Sequence, residues 1–199
     1  MVEFTAQVSA NTDDGQESGD TTWLVNGQDS DGARVGNAGA DYDMGMRFTN
    51  VTIPVGATIT SAVVEVFMKW QAGGDDIITL FRGCDEDNAA TFGTTDRPSQ
   101  RASTTAVVNR TYTDAADWSD ESWLSLDDCT DVVQEIIDRA GWASGNAMAF
   151  VFENNGSAST NRWQFHDYNY GSTNAAKITI NYTTGGGSTI LPQMIQHLN

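Results

Sequence analysis

Apolar and polar residues alternate along several short runs of this chain, and turn residues separate the runs. The longest run spans residues 59–70, where apolar side chains from Ala62 to Met68 share one face and Glu65 and Lys69 lie on the other. Such alternation predicts half-buried β-strands. Further runs occur at residues 4–10, 45–51, 77–82, 104–108, 147–153, 162–167 and 176–182. About eight or nine short strands predict an all-β fold, a two-sheet antiparallel jelly-roll sandwich.

One segment has helical spacing instead of alternation. In residues 130–140, Val132, Val133, Ile136 and Ile137 recur every three or four positions and form one apolar stripe. The pattern predicts one short amphipathic helix, and we expect it to close an open end of the sandwich.

The charge of the chain is strongly negative. Asp and Glu number 27 against 10 Lys and Arg, which gives a formal net charge of −17 over 199 residues. Such a surface repels nucleic-acid phosphates and anionic membranes, and the sequence has no apolar run long enough to cross a bilayer. We therefore expect no nucleic-acid binding and no membrane insertion. The acidic side chains serve either as a solvated surface or as oxygen ligands for Ca²⁺.

Acidic side chains concentrate in two predicted turns: Asp13, Asp14 and Glu17 in the first, and Asp85, Glu86 and Asp87 in the second. Turns of this kind bring carboxylates and backbone carbonyls together, and both are ligands for Ca²⁺. Neither turn has EF-hand spacing, so each would need a ligand from a distant loop. The residues leave two alternatives open, a structural Ca²⁺ site or plain solvated turns.

Aromatic and polar side chains are mixed in residues 162–170. Exposed Trp or Tyr rings beside Asn, Gln, Asp and Arg are suited to stack on sugar rings and to bind their hydroxyls. Trp163, Tyr168 and Tyr170 are the candidate carbohydrate-binding residues. The alternative for Trp163 is a position in the core, whereas Tyr168 and Tyr170 lie in a predicted loop.

The sequence carries few groups suited to catalysis. It contains only two histidines, and it has no Gly-x-Ser-x-Gly, His-Glu-x-x-His or phosphate-binding glycine motif. Cys84 and Cys129 lie next to acidic residues, which disfavours a reactive thiolate. Two alternatives remain open for these cysteines: two buried free thiols, or one disulfide between them. We expect a protein that is not an enzyme.

The C-terminal end differs in composition from the rest. Residues 1–183 form the predicted sandwich, and residues 184–199 form an arm that starts with a Gly-rich linker. The arm is apolar for a terminus, and its apolar residues are Ile190, Leu191, Met194, Ile195 and Leu198. It is either a disordered end or an assembly segment that docks on a neighbouring subunit.

Several ordered segments resemble a known family. They are residues 45–62, which include the run Gly-Met-Arg-Phe-Thr-Asn-Val-Thr-Ile-Pro-Val-Gly-Ala, and residues 88–92, 132–147 and 175–182. Together they are similar to the DNRLRE and carbohydrate-binding-module-like jelly-roll domains of large secreted bacterial and archaeal proteins. The resemblance covers residues 3–183.

The resemblance implies a non-catalytic sandwich, in some members with a structural Ca²⁺, to which Asp13, Asp14 and Glu17 correspond in position. No basic, apolar export signal follows Met1. A stand-alone copy with an apolar arm resembles accessory proteins of tailed-phage virions. The first hypothesis is therefore a homo-oligomeric component of the virion surface (head decoration, tail or fibre) that binds other virion proteins and contacts host glycans. The alternative is an extracellular carbohydrate-binding or adhesive module of a secreted protein, stabilised by Ca²⁺.

Overall fold

The computed structural model describes residues 1–25, 32–72, 76–113 and 119–184. Within them the chain forms strands β1 (Val2–Gln7), β2 (Asp14–Ser18), β3 (Thr22–Leu24), β4 (Ala33–Asn37), β5 (Asp41–Phe48), β6 (Ala57–Ala72), β7 (Ile77–Cys84), β8 (Ser103–Tyr112) and β9 (Ser122–Ser125). Then follow helix α1 (Thr130–Ile137), β10 (Met148–Asn154), β11 (Arg162–Phe165), the single turn α2 (Tyr168–Gly171) and β12 (Lys177–Thr184). A 3₁₀ turn spans Pro98–Gln100.

All the strands belong to one curled antiparallel sheet with the order β1-β12-β6-β11-β4-β5-β10-β7-β8. β2 and β3 extend it beside β5, and β9 pairs with β6. β4 and β5 pair only next to their connecting turn, at Gly36 with Tyr42 and Asn37 with Asp41. The sheet therefore folds over at this hairpin, and its two halves diverge from there.

The two halves face each other across an apolar core. The ring of Phe152 on β10 lies 5.9 Å from that of Phe165 on β11, and the ring of Tyr112 on β8 lies 5.6 Å from that of Trp163. These contacts join strands from opposite halves, so the structure confirms the predicted all-β antiparallel sandwich. Core residues alternate with outward-facing ones along the strands that the sequence pattern predicts, such as β5, β6 and β12.

Helix α1 packs against β6 of one half and β7 and β8 of the other. Its buried side chains are Val132, Val133, Ile136 and Ile137, as predicted. It ends at Ile137 and not at residue 140, with Asp138 as its C-cap. The guanidinium of the following Arg139 bonds to Asp85 and Asp87. Two further contacts tie the helix to the edge strand β8: both Glu135 carboxylate oxygens accept backbone N–H bonds, from Thr105 and Ala106 at 2.7 and 2.8 Å.

The two cysteines are buried and are not bonded to each other. Cys84 packs in a small outer cluster with Trp23 and Phe92, whereas Cys129 packs in the main core. Burial raises the pKa of each thiol to about 12. Of the two alternatives that the sequence leaves open, the structure has the buried thiols.

We predict that Trp163→Ala lowers the free energy of unfolding by about 3–5 kcal/mol, because the residue is completely buried and its removal leaves a cavity between the two halves. Urea denaturation followed by circular dichroism measures the change. Val55→Ala is the control: Val55 is 67% exposed, and we expect a change within about 0.5 kcal/mol. Similar values for the two variants would contradict the core position of Trp163.

Candidate functional site

The first acidic turn of the sequence is the start of strand β2 in the structure. Two of its three predicted ligands have arginine partners: Asp13 Oδ1 accepts a bond from Arg47 Nη1 at 2.6 Å. Glu17 is buried and accepts bonds from Arg97 Nε at 2.8 Å and from both the N–H and the hydroxyl of Ser99 at 2.7 Å. These contacts neutralise Asp13 and Glu17 and hold the loop before β8 against β2.

The second acidic turn also binds arginine. Arg139 bonds to Asp85 and Asp87, the latter at 2.8 Å, and Arg101 Nη1 lies 3.1 Å from both carboxylate oxygens of Glu86. In both predicted clusters, therefore, arginine side chains bond to carboxylates that were expected to bind Ca²⁺. In residues 1–25, 32–72, 76–113 and 119–184, no group of three or more His, Cys, Asp and Glu side chains is placed to hold a metal ion.

Asp14 differs from its two acidic neighbours because its side chain points into the protein. It is completely buried, and its Oδ2 accepts a bond from the backbone N–H of Tyr168 at 2.9 Å. This bond brings Asp14 next to a second buried carboxylate, Asp167. Burial and the charge of Asp167 raise the pKa of Asp14 to about 8. The sequence did not indicate that Asp167 lies beside Asp14, since 153 positions separate them.

The three predicted carbohydrate-binding aromatics have different environments. Trp163 lies in the core with no exposed surface, so its ring cannot stack on a sugar, which corrects its assignment as a surface residue. Tyr168 is half-buried and packs on the core. Tyr170 is 41% exposed, and its ring is covered by Lys69, whose Nζ lies 3.9 Å from the ring centre. The structure does not join the three rings into one platform.

A groove of about 440 Å³ lies on the outer face of the β5-β10-β7-β8 half of the sheet. Outward-facing side chains of these strands and of the adjoining turns form its walls. The charged residues are Asp20, Asp41, Asp43, Glu153, Arg82 and Arg101, and the rest of the lining includes Asn154, Ser99, Ser103, Leu80 and Val107. This groove was not predicted from the sequence: its residues come from distant strands, and in the sequence only the alternation pattern marks them as outward-facing.

The polar groups of the groove hold one another in place. Glu153 Oε2 accepts a bond from Arg82 Nε at 2.8 Å, and Arg82 Nη2 donates to the carbonyl of Pro98 at 2.7 Å. The side-chain amide of Asn154 donates to Asp41 at 2.6 Å. The groove therefore presents fixed carboxylates and guanidinium groups beside the apolar surfaces of Leu80 and Val107, an arrangement suited to bind hydroxyl-rich ligands.

Asp43 lies at the floor of the groove and is 8% exposed. Burial raises its pKa to about 7, although its Oδ1 accepts a bond from the backbone N–H of Asn154 at 2.8 Å. The negative charges of Glu153, Asp20 and Glu17 add to the increase. Near neutral pH the groove therefore contains a carboxyl group that is partly protonated and can donate or accept a hydrogen bond.

The five apolar residues predicted for the assembly arm, from Ile190 to Leu198, lie outside the described residues. Strand β12 continues through Thr184, which pairs with Ala57, so the sandwich extends one residue past its predicted end. Among the described residues, no helix is long and apolar enough to cross a membrane.

No protein-family model matches the sequence, and no curated protein matches it at a significant level. The resemblance to DNRLRE modules, and the roles in a virion or in glycan binding that follow from it, therefore stay predictions.

We predict that Asp43→Asn changes how stability depends on pH. A carboxyl whose pKa is raised in the folded state stabilises the fold fully below pH 4, and this contribution is lost as the pH rises to about 7. Between pH 4.5 and 7.5 the wild type should lose about 3 kcal/mol more than the variant, which retains the acceptor for Asn154. Urea denaturation at several pH values measures this difference.

Asp41→Asn is the matched control, because it removes the same charge from an exposed position in the groove. We expect its stability to follow the wild-type pH dependence. Parallel curves for the wild type and Asp43→Asn would contradict the raised pKa.

Proposed function

We propose that this chain is a non-catalytic structural and adhesive protein of a phage virion surface, where it serves as a head-decoration, tail or fibre component. In this proposal it forms homo-oligomers, binds other virion proteins and contacts host glycans. The observation that supports the adhesive role is the outer groove on the β5-β10-β7-β8 half of the sheet.

The groove has the chemistry that sugar recognition requires. Carboxylates such as Asp41 and Glu153 accept bonds from sugar hydroxyls, and Arg82 and Asn154 can donate them. Their mutual bonds fix these groups before a ligand binds, so little side-chain entropy is lost on binding. Val107 adds an apolar contact for the C–H face of a sugar ring. These features equally support the second candidate, an extracellular carbohydrate-binding or adhesive module of a secreted protein.

Two exposed apolar side chains beside the groove support an assembly role. Ile78 on β7 and Val107 on β8 are each 38% exposed, and both lie on the outer face of the sheet. β8 is the last strand of the sheet order, so this face lies at one side of the sandwich. Exposed apolar side chains at such positions are suited to the contact with a second copy. The net charge of −17 opposes indiscriminate aggregation of the assembled copies.

For the adhesive role, we predict that the full-length protein binds a restricted set of glycans on an array and that Asp41→Ala weakens this binding at least about tenfold, as expected when a buried sugar hydroxyl loses its acceptor. Asp138→Ala removes an exposed carboxylate at the end of helix α1 and should leave binding unchanged. Tyr170→Ala tests the loop that the sequence indicated. Loss of binding in Tyr170→Ala alone would place the site in that loop, and absence of any bound glycan would contradict the adhesive role.

For the assembly role, we predict that light scattering of the purified protein gives the mass of a homo-oligomer. Ile78→Asp should shift the mass towards one chain, because it places a charge in the apolar contact. Val55→Asp changes a more exposed apolar residue in the turn before β6 and serves as the control. Deletion of residues 185–199 tests the arm in the same assay. A wild-type mass of a single chain would contradict self-assembly.

A further inference from the structure

Two carboxylates meet inside the protein where the end of β11 approaches β2. Asp14 and Asp167 are both completely buried. One oxygen of each accepts a backbone bond: Asp14 Oδ2 from Tyr168 N–H at 2.9 Å, and Asp167 Oδ1 from Tyr170 N–H at 2.8 Å. The other oxygens, Asp14 Oδ1 and Asp167 Oδ2, are buried without a hydrogen-bond partner.

A third polar side chain, two residues from Asp14 on β2, is also buried without partners. Gln16 is completely buried, and neither its Oε1 nor its Nε2 has a hydrogen-bond partner. Successive side chains of a strand point to opposite faces, so Gln16 projects from the same face of β2 as Asp14. Across the pairing with β5, this is the face of the core residues Met44 and Met46. The amide therefore points inward, on the same face of β2 as the Asp14 carboxylate.

Buried polar atoms without partners are rare in folded proteins, because water has been removed and nothing replaces it. Two neighbouring carboxylates increase this cost by mutual repulsion. Among the described residues, no ion pair joins Asp14 or Asp167 to a basic side chain: Arg47 is bonded to Asp13, and Lys69, the basic group whose charge reaches Asp167, lies over the Tyr170 ring. The charge of Lys69 therefore acts on Asp167 from a distance, and the unpartnered oxygens of Asp14 and Asp167 have no hydrogen-bond donor.

We propose that Asp14, Gln16 and Asp167 bind one Ca²⁺ ion through Asp14 Oδ1, Gln16 Oε1 and Asp167 Oδ2. The two carboxylates balance the double charge of the ion, and backbone carbonyls or water complete its shell of six to eight oxygens. The donors are all oxygen, which favours Ca²⁺ over the zinc that nitrogen and sulfur ligands select. The site differs from the one that the sequence indicated, because Asp13 and Glu17 are bonded to arginines and Gln16 and Asp167 take their place.

The ion would connect β2 to the turn α2. Asp167 caps this turn through its bond to Tyr170 N–H, and Tyr168 donates to Asp14. A cation between Asp14 and Asp167 would therefore hold the segment that carries Tyr168 and Tyr170 against the sandwich. This role is independent of the outer groove and of glycan binding.

The test uses the full-length protein treated with EDTA, dialysed into metal-free buffer and titrated with CaCl₂ alone. Isothermal titration calorimetry should give one ion per chain. Thermal denaturation should show a rise in Tm on the order of 5–10 °C at a Ca²⁺ concentration of about 100 times Kd. Asp14→Asn and Asp167→Asn should each abolish the rise, because each removes a charged ligand.

The variants also exclude a trivial loss of folding. Asp14→Asn keeps the acceptor for Tyr168 N–H and removes a buried carboxyl whose ionisation is costly, so without Ca²⁺ its Tm should equal or exceed that of the wild type. Asp87→Asn, in the second acidic turn, should keep the full Ca²⁺ response. The proposal is overturned if the wild type gives no heat and no rise in Tm, if Asp14→Asn keeps the response, or if Asp87→Asn loses it.

Discussion

Guanidinium groups are scarce in this chain, and their placement determines how the acidic loops fold onto the sheet. With 27 acidic and 10 basic residues, the chain has far more carboxylates than basic groups that could partner them. Arg101 is buried and bonds to Glu86, Asp96 and the carbonyls of residues 90 and 91, while its guanidinium lies 4.4 Å from the centre of the Phe92 ring. The guanidinium of Arg82 likewise donates hydrogen bonds to the backbone carbonyls of Pro98 and Arg101. The loop between β7 and β8 is therefore attached to the outer face of the sheet by charge-assisted bonds.

The same scarcity of guanidinium groups explains why the carboxylates on the outer face of the sheet differ from the buried pair Asp14 and Asp167. On the outer face, carboxylates such as Glu17 and Glu153 are satisfied by arginine and stay charged parts of a rigid surface. Inside, Asp14 and Asp167 share no such partner, and burial raises the pKa of both. One set of acidic residues stabilises loops, and the other contains the unbalanced charge that a cation can neutralise.

Much of the fold could be predicted from the alternation of side chains. The strands with apolar core faces, such as β6 and β10, and the buried stripe of helix α1 are where the pattern places them. β2 was interpreted as a turn, because Asp14 to Ser18 contains no apolar side chain. It is a strand because its backbone pairs with β5 and β3, and this pairing depends on tertiary contacts that local composition does not record. The candidate sites were predicted less well for the same reason: the partners of Asp14 and Asp43 come from residues more than 100 positions away.

The contact between helix α1 and the edge strand has a consequence for how copies of this protein can join. The Glu135 carboxylate occupies two backbone donors of β8, at Thr105 and Ala106. A strand from another molecule that extended the sheet along this edge would have to displace that carboxylate and desolvate it. Open-ended, fibre-like stacking of sheets is thereby disfavoured at this end of β8. In the proposed assembly, contacts between copies would therefore use the side-chain faces, where geometry can close an assembly at a finite number of subunits.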